Sequence, residues 1–337
     1  MPYMVAANEA LSMVGSIGGL PSGTSTVGVV FFGLLVSATA GVKLKIHLAP
    51  RGDDGQLWTR MKTWWWIVSL FLGSLALGRF TTVAFMCLVS FLALREHLSL
   101  TPTSRRDRGV LFVAYGLVLV QYALVYARAY DLFLVVIPAG GAILLASRMA
   151  ANGEARSFGQ RLSTIHFGLL LTVYNLSHIA YLTTLGSHAP AADAARPTNG
   201  AGLIVFLVAM TQLNDVFQYI WGRSFGRRKI SPTLSPNKTV AGLVGGVLTT
   251  SLVAAIFGRY LTPLDTIRGA AVGLAIGIAG FLGDLTESAL KRDVGVKDSG
   301  AVLPGHGGVF DRVDSLTFTA PVFFHLIRMM YFSGGGQ

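Results

Sequence analysis

Apolar runs separated by short polar connections set the plan of this chain. They fall at about 26–42, 63–78, 80–94, 109–127, 131–147, 163–186, 201–221, 239–257, 266–283 and 315–332. Several are shorter than the roughly 20 residues that carry a straight helix across a bilayer core. The pattern predicts an all-α fold, a polytopic transmembrane helical bundle of about eight to ten spans, with ten favoured. The ambiguous place is Gly78-Arg79, where the flanking runs read either as two short helices with a tight turn or as one long bent helix. Residues 1–25 are small and mildly apolar, broken by Gly18-Gly19 and Pro21-Ser22-Gly23, and read as an N-terminal segment with a short interfacial helix. Residues 26–200 then form N-terminal membrane helices, and 201–337 a C-terminal membrane region that carries the chemistry.

Composition agrees with lipid as the main solvent of the fold. Hydrophobic residues make up 52% of the 337 and charged residues 13%, against about 25% charged in an average soluble domain. Mean hydropathy is +0.58. A net charge of +11 often signals nucleic acid, but here Lys and Arg are spread over many short connections and form no patch or stripe. The excess of cations in cytoplasmic loops of membrane proteins accounts for them better, so no nucleic-acid partner is expected. Of the 27 Lys and Arg, 21 fall in alternate connections and four in the intervening ones. That alternation puts the start of the chain and the basic connection at 222–238 in the cytoplasm, and 187–200 on the far side. No basic stretch precedes the first apolar run, so no cleaved signal peptide is expected. The single cysteine, Cys87, lies in an apolar run and reads as a small buried residue.

One polar island interrupts this pattern near the end, from Gly283 to Ser315. Asp284, Glu287, Ser288 and Lys291 are spaced i, i+3, i+4 and i+7, which gives them one face of a helix. Beyond them, Gly305-His306-Gly307-Gly308 runs into Asp311-Arg312-x-Asp314, with two further carboxylates one turn apart. A charge at the centre of a membrane helix costs about 2.5–3.5 kcal/mol on insertion scales, so such groups are candidate functional residues by default. Simple ion pairing of Asp284 and Glu287 with Lys291 and Arg292 is the plainer account. Asp311 and Asp314 shift the balance, because carboxylates from two helices joined by a Gly-rich connection suit a hard divalent cation and a polyphosphate. Lys291, Arg292, Lys297 and Arg312 supply compensating charge, and glycines permit close approach of backbone to a ligand. His306 alone reads more simply as a hydrogen-bonded loop residue.

A second constellation begins at Asn214-Asp215, where Asp215 is placed to add a carboxylate to the same site. It continues through Gly222-Arg223-Ser224-Phe225-Gly226-Arg227 to Ser235-Pro236-Asn237-Lys238-Thr239. Arg223, Arg227 and Lys238 would meet phosphates of a nucleotide or of anionic lipid. Arg95-Glu96-His97 reads first as a helix-end ion pair, and only second as a substrate contact. His166 and His178 lie more than three turns apart in one apolar run, too far to share a metal in the usual one-turn spacing, and read as polar packing residues.

The run Ser288-x-x-Lys291-Arg292-x4-Lys297-Asp298, followed by Pro304-Gly305-His306-Gly307-Gly308-x-x-Asp311-Arg312-x-Asp314, closely resembles the signature of the phosphatidate cytidylyltransferases, or CDP-diacylglycerol synthases. Gly222-Arg-x-Phe-Gly-Arg, Ser235-Pro-x-Lys238-Thr239 and Ala93-Leu-Arg-Glu96 resemble other motifs of that family, so the likeness extends from about 93 to 315. The chain departs from it in two places. Val240-Ala241 stands where the family has an aromatic residue and a glutamate, and Asp215-Val216 with Gln218-Tyr219 stands where it reads Asp-Thr and Ala-Tyr.

The resemblance implies that CTP and phosphatidate, or a related lipid phosphate, give CDP-diacylglycerol and pyrophosphate. It implies catalytic roles for Lys291, Arg292, Lys297, Asp298, His306 and Arg312, and substrate binding by Ser288, Gly307, Gly308, Arg223, Arg227 and Lys238. Mg2+ would be held by Asp284, Asp311, Asp314 and Asp215, with a second cation such as K+ nearby. The lipid phosphate is itself a competent nucleophile, so no general base is required and His306 is not assigned that role. The implied setting is a bacterial inner membrane, with the site open to the cytoplasm and membrane lipids around it; a homodimer is an allowed assembly. Two other functions fit the composition: a CTP-dependent polyprenol or phytol kinase, and a secondary anion transporter with charged groups at midplane.

Overall fold

A computed structural model describes residues 54–100, 107–153, 155–185, 199–300, 302–305 and 307–331, together with part of 33–47. The interfacial segment expected at 1–25 and most of the first apolar run lie outside the described residues. From Asp54 onward the chain runs through long helices: α1 Asp54–Ala76, α2 Arg79–Leu100, α3 Arg108–Ala127, α4 Tyr130–Ala151, α5 Phe158–Leu185, α6 Gly200–Phe225, α7 Val240–Leu261, α8 Thr266–Asp293 and α9 Phe310–Tyr331. Helices α2 to α8, seven among the described residues, are long and apolar enough to cross a membrane. The remaining two, α1 and α9, carry more charge: Asp54, Arg60 and Lys62 in the first, and Asp311, Arg312, Asp314 and Arg328 in the second. The all-α polytopic bundle expected from the hydrophobic pattern is what the chain forms.

The ambiguity at Gly78-Arg79 resolves as two helices. Gly78 takes φ +103°, a left-handed conformation that favours glycine. Thr81 and Thr82 reach back across the turn and donate to the Ser74 carbonyl at 2.7 and 3.0 Å. Helices α4 and α5 each contain one π-helical turn, Val136–Gly141 and Leu170–Asn175. The first includes Pro138, which has no N–H to give. The two histidines of α5 are spent on backbone: His166 donates to Ile137 O at 3.1 Å, and His178 to Tyr174 O at 2.9 Å. Their reading as packing residues agrees with this.

Helices α6 to α9 form the half that holds the site. They approach closely because α8 presents small residues to its neighbours. A Cβ at Gly273 would lie 2.5 Å from the Ala254 methyl of α7, and one at Gly283 would lie 2.7 Å from the Asp314 carbonyl of α9. Asn214 of α6 ties three helices, donating to Gly277 O at 3.3 Å and accepting from Thr250 Oγ1 at 3.2 Å. Thr211 donates to Thr319 of α9 at 3.0 Å. Between α6 and α7, the connection at 222–238 is more ordered than a plain loop. It forms a two-stranded antiparallel ribbon, β1 Lys229–Ser231 with β2 Ser235–Thr239, in which Lys229 faces Thr239.

The two ends of the bundle make different contacts. At one end, connections distant in sequence meet: Arg60 with Gly305, Arg161 with Asp107 at 3.3 Å, and Lys238 with Asp284. At the other, Arg79 donates to the Val125 and Tyr126 carbonyls, and Arg268 stacks over the Tyr331 ring.

Candidate active site

The polar island folds as the last turns of α8, a connection, and the first turn of α9, and its acidic groups separate into two neighbouring sets. The first centres on Lys291. Its ammonium lies 2.7 Å from Glu287 Oε2, one turn back on α8, and 2.9 Å from Asp311 Oδ1. Asp311 also accepts from Ser299 N with both oxygens, at 3.1 and 2.9 Å, and from Gly308 N at 2.8 Å. Its carboxylate therefore binds the connection to the start of its own helix. A Cβ on Gly307, at φ +82°, would lie 2.7 Å from Asp311 Oδ2, so only glycine allows this return of the chain.

The free N–H groups that begin α9 are met by a residue from far away. Glu96 of α2 accepts from Val309 N at 2.9 Å and Phe310 N at 2.8 Å, and from Ser299 Oγ at 3.3 Å. A carboxylate at a helix N-terminus complements both the orphan donors and the helix dipole. Glu96 is 5% exposed, while Arg95 faces out. The expected helix-end ion pair at Arg95-Glu96 is thus replaced by a cap between helices. Next to it, His97 donates to Thr164 O of α5 at 3.1 Å.

The second set joins three helices. Asp215 of α6 accepts from Ser315 Oγ of α9 at 3.1 and 3.3 Å. Asp314 of α9 accepts from Ser315 N at 2.7 Å. Asp284 of α8 pairs with Lys238 Nζ at 2.7 Å and accepts from Ser288 Oγ at 3.3 Å. Lys238 arrives from β2, lies over the Phe281 ring at 4.7 Å, and donates to the Phe281 carbonyl at 3.5 Å. Asp215, Asp284 and Asp314 are near enough to repel one another electrostatically, and Glu287 feels Asp314 in the same way. Such crowding is relieved by a proton on one carboxylate or by a cation among them. Hard oxygen donors of this kind suit magnesium, which needs only one or two carboxylates. Among the described residues, no three acidic, imidazole or thiol groups are already gathered around a common metal position.

Sequence spacing grouped Asp311 with Asp314, and the structure separates them in part: Asp311 binds Lys291 and the connection, while Asp314 accepts from Ser315 N and lies within electrostatic reach of Asp215, Asp284 and Glu287. The remaining cations, Arg223, Arg227, Arg292, Lys297 and Arg312, are exposed, as is Asp298. Arg223 donates to Tyr219 OH at 2.9 Å and Arg292 to Val296 O at 3.0 Å. His306 lies outside the described residues. Ser299 and Ser315, which no motif reading singled out for a role, hold the two acidic sets in place.

Fold and site together define a polytopic α-helical protein with a buried acid and lysine centre at one end of its bundle. Residues 58–330 match the cytidylyltransferase family. The chain is 43% identical over 297 residues to the uncharacterized protein YnbB of Escherichia coli (strain K12), covering 88% of this chain and 96% of that protein. It is 35% identical over 289 residues to a phosphatidate cytidylyltransferase of Synechocystis, covering 78% of this chain and 94% of the relative. A phosphatidate cytidylyltransferase of Staphylococcus haemolyticus is 31% identical over 262 residues, covering 77% and 95%. The chain belongs to the cytidylyltransferase family and is a nucleotidyltransferase.

Proposed function

We propose that this protein condenses CTP with phosphatidate, or a close lipid phosphate, to give CDP-diacylglycerol and pyrophosphate, in a bacterial inner membrane with the site open to the cytoplasm. The observation that carries the reading is the family match over 58–330, supported at the site by the pairing of Lys238 with Asp284 and the tie of Asp215 to α9 through Ser315. The names of the relatives supply the substrates, and the meeting of the basic connections at that end supports the orientation.

In this mechanism the lipid phosphate oxygen attacks the α-phosphorus of CTP in line, and the bond to the β-phosphate oxygen breaks. The protein does no covalent chemistry; it positions two anions and offsets their charge. Asp215, Asp284 and Asp314 would hold Mg2+, which when bound supplies charge neutralisation to the phosphates, with K+ as the candidate second cation. Lys238 would exchange its contact with Asp284 for a phosphate oxygen. Lys291 is fixed by Glu287 and Asp311 with one ammonium face directed by both, and it would stabilise the pyrophosphate leaving group. Exposed Arg223, Arg227, Arg292, Lys297 and Arg312 would draw anions to the mouth of the site. Asp311 would hold Lys291 and the Gly-rich connection, and it would join the Mg2+ ligands by giving up one of these contacts, as Asp284 would give up Lys238. The experiment is turnover by purified protein with CTP and Mg2+, offered a panel of lipid phosphates and lipid alcohols. Pyrophosphate release with lipid phosphates alone is expected; release of CDP with the alcohols would show a kinase instead.

A further inference from the structure

Resting on that reading, we propose that Arg60 and Thr63 of α1 are positioning residues for the Gly-rich turn of the site and, through it, for CTP. Neither lies in any motif, and they stand 245 and 241 residues from the carbonyls they contact. Arg60 Nε donates to Gly305 O at 3.0 Å, and Thr63 Oγ1 donates to Pro304 O at 2.9 Å. Thr63 is 7% exposed, and its hydroxyl is shared with Thr59 O one turn back at 3.1 Å. Gly305 has φ +75°, and the Arg60 stem fills the space beside it, 3.1 Å from where a Cβ would lie.

The turn itself is closed by Leu303 N donating to Gly307 O at 2.9 Å, with Leu303 and Gly307 paired as a short bridge. From there it passes directly to Gly308, whose N–H is held by Asp311. The turn is thus suspended between two anchors, α1 on one side and the Asp311–Lys291 pair on the other. Its own sequence is rich in glycine and has little intrinsic preference for one shape. A turn of that kind keeps its place by outside contacts, and two adjacent carbonyls gripped from one rigid helix fix both its position and its tilt. Releasing them leaves the carboxylates and lysines in place but lets the turn drift from the nucleotide. A C-terminal region starting at 201 would lack this anchor and the Glu96 cap, so the site draws on both halves of the chain.

The test uses full-length protein in membranes or detergent, with Arg60→Ala, Thr63→Val and Thr63→Ser, and Lys62→Ala as control. Lys62 lies over the Trp58 ring and is not among the turn's contacts. Arg60→Gln replaces Arg60→Ala should the latter not accumulate. Amide exchange over 302–310 is expected to speed up in Arg60→Ala and Thr63→Val, and the KM for CTP to rise about tenfold, with the KM for lipid phosphate unmoved. Thr63→Ser should restore both, and Lys62→Ala should match the parent. A variant that only lowers the amount of folded enzyme leaves KM unchanged. The proposal is overturned if exchange in the turn is unaltered, if exchange rises while the KM for CTP stays put, or if Thr63→Ser behaves as Thr63→Val. A parent protein that does not turn over CTP ends the functional reading instead, and exchange then decides the anchoring by itself.

Discussion

Asp314 and Asp311 are three residues apart and both carboxylates, yet substitution should separate them cleanly. Asp314→Asn removes a charge from the three-helix set while keeping its size, and turnover should fall at least about a hundredfold, as expected when an electrostatic group of the transition state is lost. Protein amount and thermal midpoint in detergent should stay near those of the parent. Asp311→Asn keeps one acceptor oxygen but loses the charge opposite Lys291 and replaces the other oxygen by a donor facing N–H groups. It should lower both activity and thermal midpoint. Glu96→Ala should also lower the midpoint, because Val309 N and Phe310 N lose their acceptor, at about 1–3 kcal/mol for each unsatisfied buried group. At this scale the sequence was informative about residue type: Asp215, Asp284, Asp314, Lys238 and Lys291 all sit where the two sets form. Spacing alone did not divide Asp311 from Asp314, since the division is made by Ser299 and Gly308 returning to one of them. The role of Glu96 was hidden because its partners lie 203 to 214 residues away.

Among the elements, α8 decides how closely the site can assemble. Gly283 precedes Asp284 and lets α9 approach, so Gly283→Val would push the Asp314 backbone away from its 2.7 Å clearance. The expected result is loss of activity with a lowered thermal midpoint, while Gly295→Ala, at φ +74° in open space beyond the helix, should perturb stability only through backbone strain. Ala241, in the first turn of α7, is one of the places where the chain departs from the motif it resembles. If the present carboxylates suffice, Ala241→Glu leaves rate and acceptor preference unchanged; a shift in either assigns that position to substrate recognition. Apolar runs located the helices well, because burial in lipid imposes a long uniform pattern. The ribbon β1–β2 was not legible, since strands of three and five residues containing Pro236 and Asn237 carry no usable alternation. The π-helical turns of α4 and α5 were likewise invisible: the first contains Pro138, and the second, LLTVYN, carries no breaker residue.

For the whole molecule, the alternation of basic connections and the contacts between them give one consistent two-ended arrangement. It can be checked by replacing Cys87 with serine and introducing single cysteines by Lys297→Cys and Arg128→Cys. Impermeant thiol reagent added outside intact cells should label the second and spare the first; the reverse pattern would invert the orientation. The central claim is cytidylyl transfer to a lipid phosphate, and the most direct measurement follows the label from CTP marked either at the α- or the γ-phosphate, with purified protein, Mg2+ and phosphatidate. Attack on the α-phosphorus puts the α-label in the lipid product and the γ-label in pyrophosphate. Recovery of the γ-label in the lipid, or no transfer of either label, would contradict it.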